Sequence, residues 1–327
     1  MTRKLRLQKE SWPLAGRFAI SRGSRTVSEV VLVEIEQDGR IGRGECSPYP
    51  RYGESVDGVM AAIEALRGNI ESGLGREALQ RLLPAGAARN AIDCALWDLE
   101  AKLSGKPVWE LAGLARPKPI VTAYTLSLDT AENMGAAARA NAARPLLKLK
   151  LAGPADLDRV RSVRDNAPNA RLIVDANEAW TPELFADLAA KVKGLGVELI
   201  EQPFPQSADA ALAGLARPVT TCADESCHDR ASLAHIAGRY DAINIKLDKT
   251  GGLTEALALK EAARAAGYRL MVGCMLGTSL AMAPALLVAQ DAAFVDLDSP
   301  LLLARDRAPG LVYTGSQVAP AERSLWG

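Results

Sequence analysis

Leu146–Leu151 reads LLKLKL, and four later runs repeat its design at intervals of 22 to 26 residues: LIVDAN from Leu172, VELIEQP from Val197, VTTCADES from Val219 and AINIKLDK from Ala242. Each is short, rich in β-formers, and meets a charged residue at or near its end. Ile120–Leu126 precedes the series; Arg269–Met275 and Phe294–Asp298 extend it. Ala-rich, helix-like segments separate the runs. Eight strands alternating with helices is the count for a closed (β/α)₈ barrel. The wholly apolar character of several runs fits parallel strands covered on both faces. The fold class expected is α/β, a barrel of TIM type, over residues 114–300.

Residues 1–113 follow a different pattern. Arg3–Lys9 and Ser28–Glu36 alternate as strands do, Asp38–Gly39 is a hairpin signal, and Ile41–Cys46 supplies a further strand. Helical stretches are expected over Ser55–Ile70, Arg76–Leu83 and Ala87–Leu103. The last carries Ile92, Ala95, Leu96, Leu99 and Leu103 at helical spacing and stops at Gly105–Lys106–Pro107. This is an α+β module. Residues 301–327 are too few for another βα unit and are expected to return to it.

With 327 residues, the chain suits one barrel plus such a module. Apolar residues make up 48%, charged residues 24%, and the formal net charge is zero. Nothing in that balance calls for nucleic acid or a membrane surface as partner. Five cysteines, none with CxxC spacing, argue against a disulfide framework or thiolate zinc site and for a reducing compartment. The N-terminus has no apolar h-region, and the most apolar stretch, Leu280–Ala289, is too short to span a bilayer. A soluble, cytoplasmic protein with a small-molecule partner is expected.

The charged residues fall where a barrel gathers its chemistry. Lys148 and Lys150, Asp175, Glu201, Asp224, Lys246, and Asp296 with Asp298 stand at the ends of successive runs, and those strand ends converge on one mouth. A carboxylate just past a strand is often a helix N-cap. Three in consecutive units, within DAN, EQP and ADES, would repel one another unless a cation lay between them. All-oxygen ligands favour Mg²⁺, with Mn²⁺ as a substitute. In LLKLKL the strand period of two sends both lysines to one face. Lys246 lies four strands away, across the mouth. Two amines facing each other can serve as bases on opposite faces of a substrate, with like charge and metal lowering a lysine pKa toward neutrality. His228 and His235 are assigned no role.

These motifs resemble the enolase superfamily in its muconate-lactonizing-enzyme-like branch. KLK at Lys148–Lys150, DANEAW around Asp175, EQP at Glu201, ADES at Asp224 and NIKLDKTGG around Lys246 all match. GRGECSPY (42–49) and AIDCALWDLEAKLSGKPVWELAG (91–113) look like that family's capping domain. The resemblance implies a modified (β/α)₇β barrel, with Asp175, Glu201 and Asp224 as Mg²⁺ ligands and Lys150 and Lys246 as paired bases. Lys148 would neutralise the substrate carboxylate. Asp296–Leu297–Asp298 looks like the eighth-strand DxD of the dipeptide epimerases, above all the L-Ala-D/L-Glu group of murein peptide metabolism, where it holds the α-ammonium. Thr125, Cys274 and Leu276 fall where the family lines the substrate. The loop ISRGSRTVSE corresponds to a lid at about residues 18–28, whose arginine, Arg22 or Arg25 with Arg22 favoured, would meet the glutamate side chain. A homo-oligomer is common in the family. An N-acylamino-acid racemase, o-succinylbenzoate synthase or muconate cycloisomerase would share metal and lysines but needs no ammonium-binding DxD. A Schiff-base aldolase would not need three metal carboxylates, and a non-catalytic interaction protein neither these nor the lysines.

Overall fold

The computed structural model describes residues 3–327. Strands β1 (Lys4–Ile20), β2 (Gly23–Gln37) and β3 (Arg40–Cys46) form an antiparallel sheet in that order. The β2–β3 turn is the expected Asp38–Gly39 hairpin, with both residues at positive φ (52° and 73°). β1 runs much further than its sequence pattern suggests. After a register shift between Pro13 and Phe18 it pairs again, Phe18 with Arg25 and Ile20 with Gly23. The segment expected as a lid loop is therefore a hairpin tip that turns at Ser21–Arg22. Helices follow at Val56–Glu64, Arg67–Glu71, Arg76–Leu82 and Ala87–Ser104. The single helix expected over Ser55–Ile70 breaks where Leu66 leaves helical backbone geometry.

The second sheet is the barrel. The Ile120–Leu126 run is not one strand: β4 (Ile120–Val121) belongs to a separate small sheet, and only β5 (Tyr124–Leu126) joins the barrel. Thr122 N–H donates to Ser316 O, whereas Ala123 N–H donates to Val295 O, so the backbone changes partners within two residues. β6 (Leu146–Lys150), β7 (Arg171–Asp175), β8 (Val197–Glu201), β9 (Thr220–Ala223), β10 (Ala242–Ile245), β11 (Arg269–Gly273) and β12 (Phe294–Asp296) follow, each parallel to its neighbour in chain order. The Ala123–Val295 bond, with Leu297 N–H to Thr122 Oγ1 at 2.7 Å, draws the two edge strands together into a nearly closed barrel. β13 (Tyr313–Thr314) pairs with β14 (Gln317–Val318) and β14 with β4, and the chain then packs against the N-terminal unit. There the buried Trp326 indole donates to Cys94 O at 3.0 Å.

Inside the barrel the period of two sorts side chains into layers. Ala123, Leu146, Ile173, Leu199, Cys222, Ala242, Met271 and Phe294 form one apolar layer. Two residues further along each strand stand Thr125, Lys148, Asp175, Glu201, Asp224, Asn244, Gly273 and Asp296. The intervening Leu147, Leu149, Val174, Ile200, Ile243, Ile245, Val272 and Val295 face outward into the main core. One alternation thus makes both the barrel's plug and its polar floor.

The helix Ala87–Ser104 lies directly on β3, and glycines permit the approach. A Cβ on Gly44 would sit 2.1 Å from Ala91 O, and one on Gly42 would sit 2.2 Å from Ala95 O. Both obstacles are backbone atoms that cannot swing aside. Gly44→Ala should lower the urea midpoint by a destabilisation of about 3 kcal/mol, at the upper end of overpacking. Gly68→Ala, in a helix with open space around its Cβ position, should instead be neutral or stabilising by up to about 1 kcal/mol. Equal midpoints for the two variants would refute the close-packing account.

Candidate active site

The floor of the mouth is a buried lattice of opposite charges. Lys148 Nζ lies 2.7 Å from Asp296 Oδ2, 2.6 Å from Glu201 Oε2 and 3.4 Å from Asp175 Oδ2. Lys150 Nζ lies 2.6 Å from Asp175 Oδ2, and Lys246 Nζ 2.6 Å from Asp224 Oδ2. Asp175 and Glu201 have no solvent exposure, and Asp224 has 2%. Burial pushes Asp175 up, but Lys150 and Lys148 more than offset it and bring it down to about 2. Asp224 is driven well below the carboxylate range: burial opposes, and Lys246 and Lys249 prevail. Glu201 goes the other way, raised by burial and by Asp175.

Burial lowers Lys148 and Lys246, yet Asp296 and Glu201 beside the first, and Asp224 and Glu201 beside the second, raise both overall. At Lys246 the adjacent carboxylates outweigh the opposing charge of Lys148 in the protein alone. As the side chains stand, no three acids among the described residues converge closely enough to ligate one ion, because ammonium groups lie between them. The donor chemistry nevertheless fits a hard divalent cation. Glu201 Oε2 and Asp224 Oδ1 are buried without an aligned hydrogen-bond donor, although each has an ammonium within charge range, 2.6 Å and 2.7 Å away.

Several members of this lattice carry no signal in the sequence reading. Asn244 Nδ2 donates to Glu201 Oε1 at 2.6 Å. Lys249, fully buried in the turn after β10, donates to Asp224 O and Asn244 O and pairs with Asp224 Oδ1 at 2.7 Å. Asn177 donates through its backbone and side-chain nitrogens to Asp175 at 2.9 and 3.1 Å. Gln202 accepts from Asp224 N–H at 2.9 Å. Asn177, Glu178 and Gln202 all have positive φ (44°, 67° and 33°). Such backbone costs of order 1–3 kcal/mol per residue and persists only where surrounding contacts over-determine it. The NIKLDKTGG string could have flagged Lys249 as a fourth lysine one short turn beyond Lys246.

Above the floor opens a cavity of about 470 Å³. Lys148, Lys150, Lys246, Asp224, Asp296, Asp298, Thr125, Cys274 and Leu276 line its barrel side, and Arg22 and Arg25 its outer side, so the structure brings these predicted residues together. Asp175 and Glu201 sit beneath. Asp298 accepts from Thr125 N–H at 2.6 Å, and burial together with Asp296 pushes it up to about 7. Cys274 Sγ meets Asp296 O at 3.3 Å. Leu276 O accepts from Ser28 and Ser47, so hydroxyls of the N-terminal unit hold that loop.

The two lid arginines differ. Arg22 is committed within the protein, to Glu225 at 2.7 Å, Glu178 at 3.0 Å, Asn177 O at 2.7 Å and Tyr49 Oη at 2.9 Å. Arg25 stacks over Tyr49 at 5.4 Å and has no ion pair among the described residues. His228 packs edge-on against Tyr52 and contacts Glu225 O; it lines no part of this cavity.

Residues 2–113 match the mandelate racemase / muconate lactonizing enzyme N-terminal domain, and residues 129–305 the enolase C-terminal domain-like family. The chain is 48% identical over 318 residues to the L-Ala-D/L-Glu epimerase of Escherichia coli K12, covering 97% of this chain and 99% of that one. It is 44% identical over 303 residues to an N-acetyl-D-glutamate racemase of Pseudoalteromonas, covering 91% and 95%. An enolase family member from Agrobacterium tumefaciens, with homology to dipeptide epimerases and solved with sodium, L-Ala-L-Glu and an ordered loop, superposes with a TM-score of 0.98 at 54% identity over 99% of this chain and all of that one. Dipeptide epimerases from other bacteria have been solved with Mg and a dipeptide.

Lys249 offers a direct test of the charge lattice. Removing one partner of a buried pair leaves the other uncompensated, at a cost of about 3–5 kcal/mol. Lys249→Met should lower stability by that order in urea titration, despite keeping an apolar stem of similar length. A loss below about 1 kcal/mol would mean that Lys246 alone neutralises Asp224.

Proposed function

The chain belongs to the mandelate racemase / muconate lactonizing enzyme group of the enolase superfamily, and on that premise we propose that it is a Mg²⁺-dependent dipeptide epimerase. The reaction is a 1,1-proton transfer at the α-carbon of the C-terminal residue, with L-Ala-D/L-Glu as the substrate that fits best. One observation carries this reading. Two lysines from opposite sides of the mouth, an acid pair at the end of β12 and just beyond it, and an arginine without an ion pair among the described residues all open into one cavity. A dipeptide with a free amino terminus, a reacting carboxylate and an acidic side chain presents a complementary charge to each.

Asp175, Glu201 and Asp224 are the residues that would hold Mg²⁺, which when bound supplies Lewis-acid stabilisation of negative charge on the substrate carboxylate. Lys148 donates to that carboxylate and stabilises the charge that develops as the α-proton leaves. Lys150 as free amine takes the proton from one face, and Lys246 as ammonium delivers one to the other; the reverse reaction exchanges their roles. Asp296 and Asp298 accept from the substrate ammonium. Arg25, rather than the Arg22 favoured from sequence, meets the side-chain carboxylate, because Arg22 already serves two glutamates. The L-Ala-D-Glu unit of murein peptides is the proposed source of substrate, and the cytoplasm the proposed compartment, in keeping with five free cysteines.

The test is incubation with L-Ala-L-Glu and Mg²⁺ in D₂O. The glutamate α-proton should wash out as L-Ala-D-Glu forms, and neither event should follow removal of Mg²⁺. Lys150→Met and Lys246→Met should each abolish epimerisation, while one of them still exchanges the α-proton of a single diastereomer. Near-wild-type epimerisation by either variant overturns the two-base assignment.

The acid pair separates the dipeptide reading from racemisation of an N-acylated glutamate, whose amide offers no cation. Burial and the neighbouring Asp296 push Asp298 up to about 7, and only the carboxylate form, favoured above that pH, holds an ammonium with full charge. KM for L-Ala-L-Glu should therefore rise as pH falls through 7, while KM for N-acetyl-L-Glu should not. Asp298→Asn should raise the dipeptide KM by about one to two decades, the loss of a charge-assisted hydrogen bond of ~1.5–3 kcal/mol. Equal losses on both substrates would favour the N-acyl reading.

A further inference from the structure

Glu178 does not line the cavity, yet it holds two residues that do. Its carboxylate takes Arg51 in a two-pronged grip, Nε to Oε2 at 2.8 Å and Nη2 to Oε1 at 2.7 Å. It also takes Arg22 Nη1 at 3.0 Å and Gln206 N–H at 3.3 Å. Arg22 is at the β1–β2 hairpin tip, and Arg51 is in the single turn Pro50–Tyr52. These segments are separated by the length of two strands, and both border the cavity. Arg22 also holds Glu225 and Asn177 O, but Glu178 is the barrel side chain that takes both arginines, one residue past Asn177, which holds Asp175. Its own backbone is fixed at φ 67° with its N–H on Gln202 O. A glutamate in that conformation is strained where glycine would not be, and four donors on its carboxylate offset the strain.

We propose that Glu178 is a positioning residue that clamps the hairpin tip and the Pro50–Tyr52 turn over the cavity through Arg22 and Arg51, and so sets substrate affinity without touching substrate. Arg22 then acts as the strap of the lid. Arg25, three residues on and across the tip from Phe18, is presented to the cavity by it. The inference rests on the reading of this cavity as the dipeptide site. Its structural half, the clamping of the tip, can be tested apart from any activity.

The experiment uses full-length Glu178→Gln, Arg51→Gln and the double variant. Gln keeps the size and backbone preference of Glu but loses the charge that both arginines need. Trypsin cleavage after Arg22 and Arg25 is followed by the mass of the N-terminal fragment, alongside thermal melting and kinetics on L-Ala-L-Glu with Mg²⁺. Each single variant should be cut at the tip about fivefold faster or more, the scale of one lost partly buried ion pair. The double variant should be cut little faster than either single, because both act on one clamp. KM should rise about tenfold with kcat within about twofold. Unchanged tip cleavage in both single variants overturns the clamp, as does a fall in kcat with KM and cleavage unmoved, which would place the role of Glu178 at the Asp175 loop. Faster cleavage in a protein that turns over no dipeptide would keep the clamp and refute the dipeptide reading instead. Should Glu178→Gln fail to fold, Arg51→Gln, altered at a half-exposed side chain, decides the same question.

Discussion

Charge neutralisation on the barrel floor constrains everything built around it. Asp175, Glu201, Asp224 and Asp296 are buried with Lys148, Lys150, Lys246 and Lys249 in a space that water barely reaches. An isolated ion taken into such a space costs several kcal/mol even after relaxation, so none of these groups can be placed independently of the others. The apolar layer two residues earlier on each strand closes the barrel from below, keeps solvent away and makes the pairing obligatory. Asn244 and Asn177 supply donors that carry no charge, fixing carboxylate orientation without disturbing the balance. Asn177, Glu178 and Gln202, at positive φ, come directly after β7 and β8 for the same reason: backbone strain is tolerated where so many polar contacts hold the chain.

The N-terminal unit adds what a barrel cannot make from its own strands. Its sheet sends a long hairpin over the mouth, and its central helix lies close enough to β3 that only glycine fits between them. Glu45 at the end of β3 accepts from Thr278 N–H at 2.7 Å and pairs with Arg307 at the same distance, tying cap, barrel and tail at one buried point. Ser28 and Ser47 hold the Leu276 carbonyl. The floor is thereby rigid and chemical, and the roof is positioned by a small number of polar ties.

What could be read in the sequence follows from which interactions are local. Period-two alternation is local, so LLKLKL announced two inward lysines, and the strand-end acids announced a common mouth. The Asp38–Gly39 turn was equally plain. The division of Ile120–Leu126 between two sheets was not, because it depends on partners near residues 295 and 316. The hairpin character of the lid was masked by the register shift between Pro13 and Phe18, which breaks alternation. The unlike partners of Arg22 and Arg25 depend on Glu178 and Glu225, more than 150 positions away. Lys249 has no such local signal, because a lysine in a short turn ordinarily points to water; here that turn is folded back under Asp224.

The lysine pKa values show why substrate and metal belong to the same balance. In the protein alone the neighbouring carboxylates prevail and hold Lys148 and Lys246 in the ammonium form, which is the wrong form for a base. On the floor and its rim five acids, counting Asp298, face four lysines, leaving one negative charge in excess. A divalent cation held by Asp175, Glu201 and Asp224 would turn that excess into one positive charge, and the carboxylate and ammonium of a bound dipeptide would leave it there. Restoring neutrality then requires one lysine to give up its proton. Low dielectric makes the imbalance expensive, so pressure toward a free amine would arise only when the site is fully assembled. Lys150 and Lys246 are the candidates to yield, because Lys148 stays among three acids. The same burial that ties every amine to a carboxylate in the protein alone would thus release one of them as a base once metal and substrate are in place.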